Sequence, residues 1–339
     1  MSVLPFAPQL SSAAVLQLRR TDSRGTLTVA RKSKIREIAD KATASLRRET
    51  YRCLLSLRKL SAADFESDTA IQAQLLKYFL GAGLDTTRSW KELYTRCFRA
   101  GANQGLEALR GRAVRKDIST SMTFDAVNPN VVAAIQQNML SLITSITADT
   151  RNAIRFAVTT GAQGQLTVAQ QAVAIRPVLG LTAPQARALA NYRANLETGN
   201  YRQTLQNALR DKRYDARTLR ALKEGMRLTR AQIDTMVARY GERLLKHRSE
   251  VVARTETLRA ANAGQVETWR QAQAQGLLPD SMRMKWLVAT DERVCQNCPR
   301  IPGMNPTDGV PVGQSFQTPY GMVAAPPAHV LCRCAVGLS

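Results

Sequence analysis

Two short clusters, Cys295-x-x-Cys298 and His329-x-x-Cys332-x-Cys334, constrain this chain more than any other stretch. They hold four of its six cysteines and one of its two histidines. Thiol pairs at short spacing, in two groups separated by a loop, are what a tetrahedral Zn²⁺ site requires. One tight turn supplies two adjacent corners, and a second turn or strand end supplies the others. The five candidates, Cys295, Cys298, His329, Cys332 and Cys334, exceed the four corners by one. Disulfides between the clusters, or free reduced thiols, remain open alternatives. Cys332 and Cys334 are too close in sequence to pair comfortably with each other. Cys53 and Cys97 stand alone on helical patterns and read as small core residues.

The surroundings of the clusters suggest a small mixed module over residues 282–336. Met282, Met284, Trp286 and Val288 alternate with Arg283 and Lys285, the period of a strand with one buried face. Asp291 is expected to bind the amides of the knuckle turn. A last strand is expected over 333–336. A unit this small needs a staple, which a structural zinc ion would supply.

Upstream, the pattern is helical. Residues 1–30 read as an extended arm, because Pro5 and Pro8 break any regular helix there. A helix is expected over 31–60, with Ile35, Ile38, Ala42, Leu46, Cys53, Leu57 and Leu60 as its apolar stripe. Others should end near Leu80, run from Ser89 to about Arg115, and run from Pro129 to about Thr160. Thr182 with Gln185, and Thr229 with Gln232, have the spacing of capping boxes, the second opening a long helix through Leu258. Arg254 and Glu256 on that helix do not face each other. Each is expected to meet the C-terminal module as a structural ion pair, not as a catalytic group. The fold class that follows is mainly α: a helical body with a small C-terminal α+β zinc-binding module. No apolar run approaches the eighteen or more residues of a membrane span, and no secretory signal is expected at the N-terminus.

The formal net charge is +22. It is uneven: residues 251–339 hold eight Lys/Arg and six Asp/Glu, leaving 40 basic and 20 acidic residues before them. A surplus of this size points to a polyanion partner, double-stranded DNA above all. The arginines at 202, 210, 213, 217, 220, 227, 230, 239 and 243 form a second basic region almost free of aromatics. Contact with duplex backbone suits it better than stacking on single-stranded bases.

An ordered series of short motifs runs through the last third: R-T-E at 254–256, N-A-G at 262–264, K-W at 285–286, D-E-R-V-C-x-x-C at 291–298, P-P-x-H at 326–329 and C-R-C at 332–334. This series resembles the phage head morphogenesis domain, the Mu F-like minor head protein of tailed bacteriophages, over about 179–334. The family usually has proline after the histidine, where this chain has Val330. The resemblance implies a non-enzymatic virion protein in three parts: an arm (1–30), a basic helical region (31–178) and a Mu F-like domain (179–339). The expected role is in head morphogenesis, DNA packaging or DNA delivery. The expected partners are the portal protein, the inner capsid and packaged DNA. It would be oligomeric in the particle, located at the capsid interior or portal vertex, and present in host cytoplasm during assembly. Two other classes fit the sequence less well. A zinc-containing DNA-binding protein outside the virion lacks finger spacing or a helix-turn-helix signature. A metal-dependent or toxin-like enzyme fits poorly with so thiol-rich a site.

Overall fold

The computed structural model describes residues 34–65, 67–81, 89–110, 122–163, 175–290 and 294–339. The arm at 1–30 and Asp291 lie outside them. Eight α-helices occur among the described residues: α1 (Lys34–Ser56), α2 (Asp68–Leu80), α3 (Trp90–Arg110), α4 (Pro129–Gln163), α5 (Ala183–Thr198), α6 (Tyr201–Gln206), α7 (Asp215–Glu224) and α8 (Arg230–Ala274). Five short strands follow: β1 (Arg283–Leu287), β2 (Val310–Pro311), β3 (Phe316–Thr318), β4 (Gly321–Val323) and β5 (Ala335–Leu338). A mainly helical chain with a few C-terminal strands is therefore observed, as the periodicity implied.

The chain forms two compact units. Of the described residues, one contains those within 42–96 and 125–257; the other contains those within 34–41, 97–124 and 258–339. Their boundaries fall within α1, α3 and α8.

In the first unit, local signals set the helix ends. Gly81 and Gly199 close α2 and α5 in the left-handed conformation, at φ 79° and 78°. Both bonds of the Thr182–Gln185 capping box form, as do both of the Thr229–Gln232 box. Trp90, buried at the start of α3, stacks on Tyr94 at 5.0 Å and donates its indole N–H to Thr50 Oγ1 at 3.2 Å. Tyr192 of α5 stacks on Tyr240 of α8, with centroids 4.3 Å apart. On α4, Ile135, Met139, Leu142, Ile146 and Ile154 are buried and Val158 is half-buried, and α4 packs on α2 and α5. Among the described residues, Pro129–Thr160 is the one helical stretch long and apolar enough to cross a membrane, but Asn, Gln, Ser and Thr interrupt it throughout.

Five of the nine arginines of the arginine-rich region pair with carboxylates in the same unit. Arg210 pairs with both oxygens of Asp215, Arg213 and Arg243 share Asp211, Arg220 pairs with Glu224 and Arg239 with Glu242. Arg248 is buried, bonding Asp149 at 2.8 Å and the Gly180 carbonyl at 2.6 Å. Arg254, expected to reach the C-terminal module, pairs among the described residues with Glu250, one turn back on α8. Glu256 is buried, at 3% exposure.

In the second unit, α3 and α8 cross so closely that only small residues fit. A Cβ on Gly101 would overlap the Ala261 carbonyl, and one on Gly264 the Phe98 carbonyl. Two side chains of α8 then reach backbone oxygens of α3: Thr268 Oγ1 bonds Ala102 at 3.0 Å and Trp269 Nε1 bonds Gly105 at 3.2 Å. The strands order as β2-β1-β5, all antiparallel, with Trp286 opposite Val336 and Met284 opposite Val310. Met284 and Trp286 are buried while Lys285 and Leu287 face out, the alternation expected of this strand. β5 starts at Ala335, two residues later than expected, since Arg333 and Cys334 belong to the preceding loop. β3 and β4 form a separate hairpin.

Candidate metal centre

The clusters meet within the second unit. Val294–Asn297 turn into a 3-10 helix at Cys298–Arg300, and the Cys298 N–H donates to Cys295 Sγ at 3.3 Å. That bond shapes a thiol knuckle and offsets negative charge on the first sulfur. A second turn is closed by the Cys332 N–H on the His329 carbonyl at 3.1 Å. His329 Nε2 lies 3.1 Å from Cys295 Sγ and 3.2 Å from Cys298 Sγ. His329 Nδ1 sits 2.8 Å from the Val330 carbonyl oxygen and donates to it, which leaves Nε2 toward the sulfurs. The residue that stands where the family has proline thus supplies the acceptor that orients the ring.

Sulfur separations decide between bridge and metal. Cys298 and Cys332 Sγ atoms are 3.8 Å apart, far beyond the ~2.05 Å of a disulfide. No disulfide forms among the four. Two thiolates at ~2.3 Å from a tetrahedral ion stand about 3.8 Å apart, the tetrahedral edge. The donors fall into two overlapping groups, Cys295–Cys298–His329 and Cys298–Cys332–Cys334, each within 4.8 Å and sharing Cys298. All five side chains named from the sequence are thus brought together.

The electrostatics are those of a pocket suited to a cation. Hydrogen bonds from Cys298, Cys334 and His329 hold the Cys332 thiol far below its ordinary range, against burial. The same neighbours push Cys298 far above, Cys332 first, then Cys334 and burial. His329 is raised to about 9, chiefly by its bond to Cys332. Burial opposes ionisation of Cys295, yet the Cys298 amide and thiol outweigh it and lower its pKa. Protons alone leave these thiols in conflict; a divalent ion would let them ionise together.

The sulfurs sit in an apolar shell. Trp269, Met284, Trp286, Ile301, Val310 and Phe316 belong to one buried cluster with Cys298, Cys332 and Cys334. Two neighbours had no sequence signal: Tyr320 lies over the His329 ring at 5.1 Å, and its hydroxyl accepts from Asn297 Nδ2 at 3.0 Å. Asn262, noted only as part of N-A-G, is fully buried; its Oδ1 accepts the Val336 N–H at 3.0 Å and its amide donates to the Leu258 carbonyl. It fastens β5 to α8 directly beside the cluster. His247, the other histidine of the chain, is exposed on α8.

A thiol-rich, buried donor set at the end of a mainly helical chain, able to hold a metal ion, defines the class of site. The family described as Phage Mu protein F like protein matches residues 188–337, and the resemblance carried by the motif series is shown over that segment. The match takes in α8, all five strands and the five clustered side chains. No curated protein and no solved structure matches the chain.

Proposed function

We propose that this chain is a minor head protein of a tailed-phage particle, acting in head morphogenesis, DNA packaging or DNA delivery. The Mu F-like match over 188–337 is the observation that carries this reading. The metal is zinc and its role is structural: thiolates and one imidazole fill its coordination, and the ion ties the knuckle loop to the turn before β5. The chain is a brace and not an enzyme. Residues 179–339 act as the Mu F-like domain, with the portal and inner capsid as partners, in several copies per virion and in host cytoplasm during assembly.

Packaged double-stranded DNA is the second partner. Support comes from the +22 charge, narrowed by the ion pairs described above. Arg202, Arg217 and Arg230 of the arginine-rich region are exposed, with no ion pair among the described residues, and are among the arginines available to phosphates.

Particles purified by density gradient and analysed by mass spectrometry test this. The expected result is the chain present with the portal protein. Its absence from particles, together with salt-sensitive DNA binding by the isolated chain, would favour a DNA-binding protein acting outside the virion.

A further inference from the structure

Residues 309–332 hold no Lys, Arg, Asp or Glu, in a chain that is 22% charged with a net charge of +22. Within them lie four exposed large apolar side chains: Tyr320 (48%), Met322 (67%), Val330 (62%) and Leu331 (44%). We propose that this uncharged face is where the chain meets a second copy of itself, as a two-fold dimer.

The four side chains belong to two segments held side by side. Tyr320 and Met322 are on the β3–β4 hairpin, with Met322 opposite the exposed Gln317. Val330 and Leu331 follow His329 on the turn closed by the Cys332 N–H. The Tyr320 ring lies 5.1 Å from the His329 ring, and its hydroxyl accepts from Asn297, so hairpin, turn and thiol knuckle join at one surface. Single exposed apolar residues are ordinary, but neighbouring ones mark a contact. Tyr and Met are enriched, and charged residues depleted, at the centres of interfaces. Leu331 is a second sign. Its φ is 59°, a left-handed conformation uncommon outside glycine. Burial offsets little of that strain, since the side chain stays exposed. Such outliers cluster at functional contacts.

Charge selects the partner. DNA or an acidic protein would be drawn by lysines and arginines, which residues 309–332 lack. A second copy carries the same positive surplus. A two-fold contact sets a patch against itself, so any cation on it would face another cation. An uncharged patch lets two such chains meet without that repulsion. The contact stands whether or not the chain is a head protein.

Sedimentation velocity of the full-length chain over a dilution series tests this. Wild type should pass from dimer to monomer on dilution. Added salt should hold or tighten the dimer, because it screens the repulsion and breaks no ion pair. Met322→Lys should raise the dissociation constant at least about tenfold, as for the loss of a central contact. Leu331→Gly should weaken the dimer with circular dichroism unchanged, because glycine suits the left-handed backbone. Leu140→Lys, at an exposed leucine of α4, should leave the dimer intact. A dimer indifferent to both Met322→Lys and Leu331→Gly, or one that salt dissociates, overturns the proposal. So does a monomer at every concentration. Hydroxyl-radical labelling of Tyr320 and Met322 in that monomer then tells what replaces the proposal: protection assigns the face to another segment of the same chain, and ready labelling assigns it to a different partner.

Discussion

Glycine to alanine at two places on α8 should change stability in opposite directions. In a helix interior this substitution ordinarily stabilises by roughly 0.5–1 kcal/mol, because it removes backbone entropy from the unfolded chain. Gly241 meets that expectation: an added Cβ would find its nearest neighbours, the Leu189 methyls, at 3.6 Å, an ordinary contact. At Gly264 the Cβ would overlap the Phe98 carbonyl, backbone that cannot rotate away. The helices must part locally. The overpacking costs about 1–3 kcal/mol. Parting also weakens the Thr268–Ala102 and Trp269–Gly105 bonds, each worth about 0.5–1.5 kcal/mol. After the propensity gain, the net loss for Gly264→Ala is about 1–4 kcal/mol. Urea unfolding followed by tryptophan fluorescence reads this, since Trp269 and Trp286 report on the second unit. The Gly264→Ala midpoint should fall and the Gly241→Ala midpoint should hold or rise. A Gly264→Ala midpoint at or above wild type would refute the close crossing of α3 and α8.

Two further outcomes follow from single side chains. Asn262→Leu strands the buried Val336 N–H and should lower stability by about 1–3 kcal/mol, read as a lower urea midpoint; an unchanged midpoint contradicts the β5 anchor. Hydrogen bonds from Arg213, working against burial, lower the Asp211 pKa to about 2. A depressed carboxylate stabilises above its ordinary pKa of 3.8, and that contribution is lost as pH falls through about 2. The melting-temperature gap between wild type and Asp211→Asn should therefore be steady at neutral pH and close between about pH 4 and pH 2. A gap that widens toward acid contradicts the pairing.

Local chemistry was legible in the sequence; long-range packing was not. The two capping boxes follow from residues three positions apart, and each appears where its spacing put it. The same holds for the meeting of the two thiol clusters, because a metal-like spacing already implies proximity. The apolar periodicity of α8 extends only to Leu258, yet the helix continues to Ala274. There Ala260, Ala261, Trp269 and Ala272 are buried on several faces, so no single stripe marks the helix. The α1 stripe was drawn through Ile38 and Ala42, whereas Ala39, Thr43 and Thr50 take the buried positions; threonines that bond inward do not register as apolar. Arg254 pairs with Glu250, four residues back on the same helix face, a local pairing that its spacing allows. Tyr320 above His329 is set by the β3–β4 hairpin, which no motif marks.

Hydrogen exchange of β1 and β5, measured by mass spectrometry before and after chelation, bears most directly on the claim that a bound ion holds the C-terminal strands. The metal-loaded chain should protect both strands. Removing the ion should release that protection while α4 and α5 remain protected. Equal protection of β1 and β5 with and without the ion would contradict the account.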